Sequence, residues 1–234
     1  MAESISHGLG LTLMPYKAVV FDLDGTLVES KIDYEKMGEQ IKELLSRKGM
    51  KEHIEDRRKA YQVIRGGAQT LLDFGLPEKN LESTLVELDQ VMNDIELEAL
   101  PTMQLKPNAV KTIETLHGVG YKLGICTRSH RLYADRTLEM YGMDGYFNAV
   151  VARDDTPHPK PDARQLYVTI ELLEALPKNT LYIGDTSTDL TTAKNAGVDF
   201  VGYWRGERWA KMLIEGGCER IVKDLLELVE IAGA

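Results

Sequence analysis

Short apolar runs end in polar clusters along this chain, and helical stretches separate them. Residues 16–21 read YKAVVF and stop at Asp22-Leu23-Asp24-Gly25-Thr26. Residues 121–126 (YKLGIC) stop at Thr127-Arg128-Ser129, and the short run 149–152 comes before His158-Pro159-Lys160-Pro161-Asp162. Residues 180–183 (TLYI) stop at Gly184-Asp185-Thr186-Ser187-Thr188-Asp189, and 200–202 reads as a last short strand. Helical periods cover about 108–117, 130–141, 161–173 and 187–196. Strand–helix alternation of this kind predicts an α/β fold, a parallel sheet covered by helices on both faces. Such sheets bind ligands at the carboxyl ends of their strands. The polar clusters therefore fall where chemistry is expected.

From about 33 to 98 the texture changes to helix alone. Tyr34, Met37, Ile41, Leu44 and Leu45 share one helical face, and Gly49 suits its stop. Two further helical stretches cover about 52–74 and 81–97. The chain thus divides into an α/β core (15–29 and 104–234), an inserted helical domain (30–103) and a loose extension (1–14). Its 234 residues are enough to bury a core without disulfides.

The charge balance excludes some partners. Lys+Arg 28 against Asp+Glu 37 gives a net charge of −9, whereas chains that live on nucleic acid carry a basic face. No apolar run is long enough for a membrane span. Residues 1–14 lack the basic and apolar regions of a signal peptide. Two cysteines, Cys126 and Cys218, form no metal-binding spacing. A cytoplasmic protein, a monomer or homodimer without nucleic-acid or membrane partners, is expected.

Each cluster has a plain structural reading and a chemical one. Asp22-x-Asp24-Gly25-Thr26 suits a turn; it also offers a carboxylate nucleophile beside a second carboxylate that shuttles a proton. Thr127 and its loop suit a helix cap or supply a hydroxyl and N–H groups to phosphate oxygens. Lys160, between two prolines, is a surface lysine in a turn or a fixed positive charge. Asp185 and Asp189 cap a helix or form part of a hard-oxygen site for Mg²⁺.

Taken together in this order, DxDGT, Thr127, Lys160 and GDxxxD resemble the four motifs of the haloacid dehalogenase (HAD) superfamily. The resemblance runs from Tyr16 onward, and AKNAG (193–197) resembles its phosphoglycolate phosphatase-like branch. It implies a Rossmann-like core with a C1-type helical cap and a Mg²⁺-dependent phosphatase of small phosphorylated metabolites. By the same resemblance, Asp22 attacks phosphorus and becomes an aspartyl phosphate, and Asp24 acts as acid and then base. Asp22, the Asp24 carbonyl and Asp185 hold the metal, with Asp189 supporting it. Thr127, Arg128 and Lys160 bind the phosphoryl group. Arg65, beside two glycines, is the expected cap contact to the leaving group. Asp162 is a further acidic neighbour of the machinery, and the Trp204–Trp209 segment, which follows the last strand, is a candidate border of the site entrance whose plainer reading is packing. A phosphomutase of the β-phosphoglucomutase type, or a non-catalytic HAD-like regulatory protein, is the alternative.

Overall fold

The computed structural model describes residues 16–50, 63 and 67–233. Residues 1–14 and Arg65, to which expectations were attached, lie outside them.

Six strands form one parallel sheet: β1 (Ala18–Phe21), β4 (Lys122–Cys126), β5 (Ala149–Val151), β6 (Thr180–Gly184), β7 (Asp199–Tyr203) and β8 (Ile221–Val222). Their order across the sheet is β5-β4-β1-β6-β7-β8. β1 is central, with Phe21 beside Ile125 of β4 and Ile183 of β6. All four β1 residues are fully buried, which explains the continuous apolar run: a parallel strand is covered on both faces. Val19 and Phe21 pack into one core layer, while Ala18 and Val20 pack into the other. This is the two-residue alternation of a strand.

Helices α3 (Ala109–Gly118), α4 (Arg131–Met140), α5 (Ala163–Leu172), α6 (Ser187–Ala196), α7 (Glu207–Glu215) and α8 (Glu227–Ala232) accompany the sheet. Leu166 and Ile170 of α5 and Ala193 and Ala196 of α6 pack on the Ala18/Val20 face. Ile113 and Leu116 of α3, Leu138 of α4 and Leu228 of α8 pack on the other.

Between β2 (Val28–Glu29) and β3 (Gln104–Leu105), which pair antiparallel, the described chain contains α1 (Tyr34–Arg47), a helical stretch at 67–73 and α2 (Leu81–Ala99). Asp33 caps α1 by accepting from the Lys36 amide at 2.8 Å. Met37, Ile41, Leu44 and Leu45 are buried as their spacing predicts, and Gly49 takes φ +85° just past the helix. Tyr34, the first helical residue, is 51% exposed rather than buried. The strand at 199–203 is not the last, because β8 pairs beyond it. β8 is only two residues long and shows no periodicity to read.

Candidate active site

The site lies at the carboxyl ends of β1, β4 and β6. Asp22 follows β1 directly, and its amide donates to the Ile183 carbonyl at 2.8 Å. Asp185 follows β6. Asp189 lies in the first turn of α6, where it accepts from the Thr186 amide at 3.0 Å and the Thr186 hydroxyl at 2.5 Å. Thr186 in turn caps the helix by accepting from the Asp189 amide. The two glycines permit the close approach. A Cβ on Gly184 would lie 2.4 Å from the Asp189 Cβ, and one on Gly25 would lie 2.4 Å from Asp185 Oδ2. Gly25 also holds φ +96°, a region that other residues rarely adopt.

Lys160 is inside this cluster, only 2% exposed. Its Nζ donates to Asp22 Oδ1 at 2.7 Å, Asp189 Oδ1 at 2.5 Å and Tyr182 Oη at 2.8 Å. The Lys160 amide donates to Gln165 Oε1 at 2.8 Å, which fixes the Pro-Lys-Pro turn to α5. The Gln165 amide group donates to the Thr127 carbonyl at 2.7 Å, so the same glutamine locates the end of β4.

Asp22, Asp185 and Asp189 each offer an oxygen within 4.8 Å of the others. Burial pushes the Asp22 carboxyl well up, and the Asp189 and Asp185 charges add to that against the pull of Lys160. Burial also pushes Asp185 up to about 7, with Asp189 adding to it. Burial opposes ionisation of Asp189 too, but Lys160 overrides it and holds this carboxyl below the usual range. For Lys160, burial favours the neutral amine; the adjacent Asp189 and Asp22 charges outweigh it and keep the ammonium protonated. Three carboxylates thus face one ammonium and the Arg205 guanidinium, which donates to Asp185 Oδ2 at 3.2 Å. The donors are hard oxygens. That set fits a divalent cation such as Mg²⁺.

Above the cluster opens a cavity of about 630 Å³ lined by Asp22, Asp24, Thr127, Arg128 and Lys160 on the sheet side. Tyr34, Met37, Met92 and Glu96 from α1 and α2 line it opposite. Asp24 accepts from the Ser30 hydroxyl, from the Ser30 amide at 3.3 Å and from Tyr133 Oη at 2.9 Å.

A family model for haloacid dehalogenase-like hydrolases matches residues 19–203. The chain belongs to this family. It is 30% identical to a phosphoglycolate phosphatase of Aquifex aeolicus over 183 residues, 77% of this chain and 81% of that protein. It is 36% identical to the pyrophosphatase PpaX of Halalkalibacterium halodurans over 124 residues, 52% of this chain and 58% of that one. Among solved structures, a haloacid dehalogenase-like protein of Bacteroides fragilis superposes with a TM-score of 0.66 at 26% identity, covering 91% of this chain and 99% of that one. The chain is accordingly a HAD-family hydrolase of the phosphatase kind.

Arg153 of this HAD hydrolase stands at the site without having been singled out by sequence, whereas Arg205 belongs to the candidate segment after β7. Arg153, just after β5, donates to Asp89 at 2.9 Å, Asn93 at 2.5 Å and Glu96 at 2.6 Å, all on α2, and to the Arg128 carbonyl at 2.8 Å. Its position after a strand was the available signal. Its partners looked like an ordinary solvated helix face. Arg205 bridges Asp185 and Glu29 (2.6 Å) and lies over the Trp209 ring. The Trp204–Trp209 segment is therefore more than packing: Arg205, Arg208 and Trp209 line the cavity. Trp204 does not line it; its ring faces Lys223. Asp162 is also away from the cluster. It caps α5 through the Arg164 amide at 2.9 Å and pairs with the Arg164 side chain, which holds its carboxyl at about 2. Cys126 is fully buried, and burial pushes its thiol up to about 12, as befits a core residue.

Proposed function

We propose that this protein is a Mg²⁺-dependent phosphatase that hydrolyses a small phosphate monoester through a phosphorylated Asp22. The observation that carries this reading is the buried cluster in which Lys160 reaches both Asp22 and Asp189 beneath a cavity containing Thr127. A carboxylate approaching a phosphate dianion meets repulsion. Lys160 offsets it at the attacking oxygen side and stabilises charge on the transferring phosphoryl group. The Thr127 hydroxyl and the Arg128 amide bind phosphoryl oxygens. Asp22, the Asp24 carbonyl and Asp185 would hold Mg²⁺, with Asp189 supporting from beside Lys160. When bound, the ion supplies positive charge that draws phosphate oxygens toward Asp22. Asp24 gives a proton to the leaving oxygen as the P–O bond breaks. It then takes one from the water that attacks the phosphorylated Asp22.

In this reading residues 30–103 form a cap over a core built from 15–29 and 104–234. The paired β2 and β3 are the two stems that join them, and the cavity has one wall from each side. A cap of this kind excludes water and selects the leaving group. Phosphoglycolate is the favoured substrate, on the strength of the Aquifex relative's name, and pyrophosphate is the next to test. The cysteines Cys126 and Cys218 are free, in keeping with a cytoplasmic enzyme.

The test is phosphate release from phosphoglycolate, pyrophosphate, sugar phosphates and p-nitrophenyl phosphate with Mg²⁺, with EDTA, and with Asp22→Asn. Release that requires Mg²⁺ and falls to background in Asp22→Asn, with the fold intact by circular dichroism, is expected. Undiminished turnover in Asp22→Asn would sink the nucleophile. Isomerised sugar phosphate without free phosphate would make the protein a mutase. No turnover of any compound would favour a non-catalytic role.

A further inference from the structure

We infer that Tyr133 is a positioning residue for Asp24, fixing which carboxylate oxygen exchanges protons in phosphoryl transfer. The inference rests on the reading of Asp24 as acid and base. Tyr133 lies in the first turn of α4, on the helix that follows the Thr127 loop, and no part of it is exposed. Its ring packs within the main hydrophobic core, with Ala134 and Leu138 of the same helix. Its carbonyl accepts from the Thr137 hydroxyl at 2.7 Å. A ring held this way has little freedom, so its hydroxyl is a fixed point.

That hydroxyl reaches Asp24 Oδ2 at 2.9 Å, and the Ser30 hydroxyl meets the same oxygen. The other oxygen, Oδ1, has a longer contact, the Ser30 amide at 3.3 Å. The two oxygens are therefore unequal. Oδ2 is anchored by two hydroxyl donors, and Oδ1 is the one left to give a proton to the leaving oxygen and to take one from water. Tyr133 donates its hydroxyl to this carboxylate. A buried phenol has a strong need for a partner, and here the partner is a charged group, which makes the bond among the stronger kinds.

A positioning role predicts a specific kinetic pattern. Help from a general acid matters most when the leaving oxygen is basic and least when it departs readily as an anion. Tyr133→Phe removes only the hydroxyl. In single-turnover transfer to Asp22, it should slow an alkyl phosphate about tenfold or more, the effect expected for losing a hydrogen bond to a charged group. Transfer from p-nitrophenyl phosphate should change less than about twofold on the same scale. KM for the two substrates should move little, because Tyr133 is not among the residues lining the cavity. Placed in Asp24→Asn, Tyr133→Phe should slow the residual reaction no further, since the group it positions is gone.

Tyr133→Met, which also lacks the hydroxyl and is a smaller, flexible apolar side chain, repeats the measurement should the phenylalanine variant fold poorly. Equal slowing of both substrates, or full additivity with Asp24→Asn, would overturn the inference and leave Tyr133 a packing residue. Parent protein that hydrolyses no phosphate monoester would instead defeat the proposed function, a failure seen before any variant is compared.

Discussion

Replacing Lys160 by methionine tests the electrostatic account of the cluster more severely than any loss-of-activity variant. Methionine keeps most of the stem and removes three hydrogen bonds, to Asp22, Asp189 and Tyr182. Two carboxylates then remain buried without their ammonium. Removing one partner of a buried ion pair costs about 3–5 kcal/mol. For a chain of this length each 1 kcal/mol corresponds to roughly 2–4 °C, so the unfolding midpoint should fall by about 6–20 °C near neutral pH.

The sign of the pH dependence follows from the shifts. Lys160 is raised above its usual 10.5, so its contribution is fully present below about 10.5 and is lost only as pH rises through its folded value. Asp189 is lowered below its usual 3.8, so its contribution is present above that value and is lost as pH falls through the folded one. Between pH 5 and pH 8, taken as roughly the working range, the parent therefore keeps both. In Lys160→Met, Asp189 loses the charge that held it down, and Asp22, already pushed up by burial, loses its opposing pull. The variant takes up protons as pH falls and regains stability. Thermal unfolding followed by circular dichroism in EDTA, at about pH 8 and about pH 5, should show a wider gap between parent and variant at the higher pH. A midpoint loss below about 2 °C, or a gap that does not change with pH, would refute the reasoning.

Two further perturbations probe the neighbourhood. Gly184→Ala drives a methyl to 2.4 Å from the Asp189 side chain; a loss of about 1–3 kcal/mol in urea denaturation, with weakened Mg²⁺ binding by calorimetry, is expected. Arg153→Met leaves Glu96, 5% exposed, without its guanidinium. It should destabilise by about 3 kcal/mol or more, and adding Glu96→Gln should recover part of that loss in the same denaturation assay.

What sequence could and could not show divides along physical lines. Asp22, Lys160, Asp185 and Asp189 were legible because strand ends in a parallel sheet are few and charged residues there have few other reasons to be present. The face formed by Met37, Ile41, Leu44 and Leu45 was legible because burial imposes a helical period. β2, β3 and β8 were not, since two residues carry no period. Tyr34 misled for a related reason: an aromatic at the right spacing counts as core, but at a helix's first turn it opens onto the cavity. Arg153 and Glu96 lie 57 positions apart, and only the fold makes them partners. Tyr133 is invisible for the opposite reason. A tyrosine on an amphipathic helix has an adequate explanation in packing, and its hydroxyl acquires a task only where it meets Asp24.

The acidic balance of the chain at first argues against an anionic ligand. The lining of the cavity reverses that argument locally. Asp22, Asp24, Glu96 and Asp189 are met there by Arg128, Arg153, Lys160, Arg205 and Arg208, four acids against five bases, whereas the whole chain carries −9. Several of these cations are engaged by the acids around them: Lys160 by Asp22 and Asp189, Arg153 by Glu96 and Asp89, Arg205 by Asp185 and Glu29. Such pairing holds the positive groups in fixed positions before a ligand arrives, which is the condition for them to act on a developing charge without reorganising. The acidic partners are thus part of how an acidic protein can receive a phosphate. They aim the cations, and the clustered oxygens of Asp22, Asp185 and Asp189 are where a divalent ion would add further positive charge.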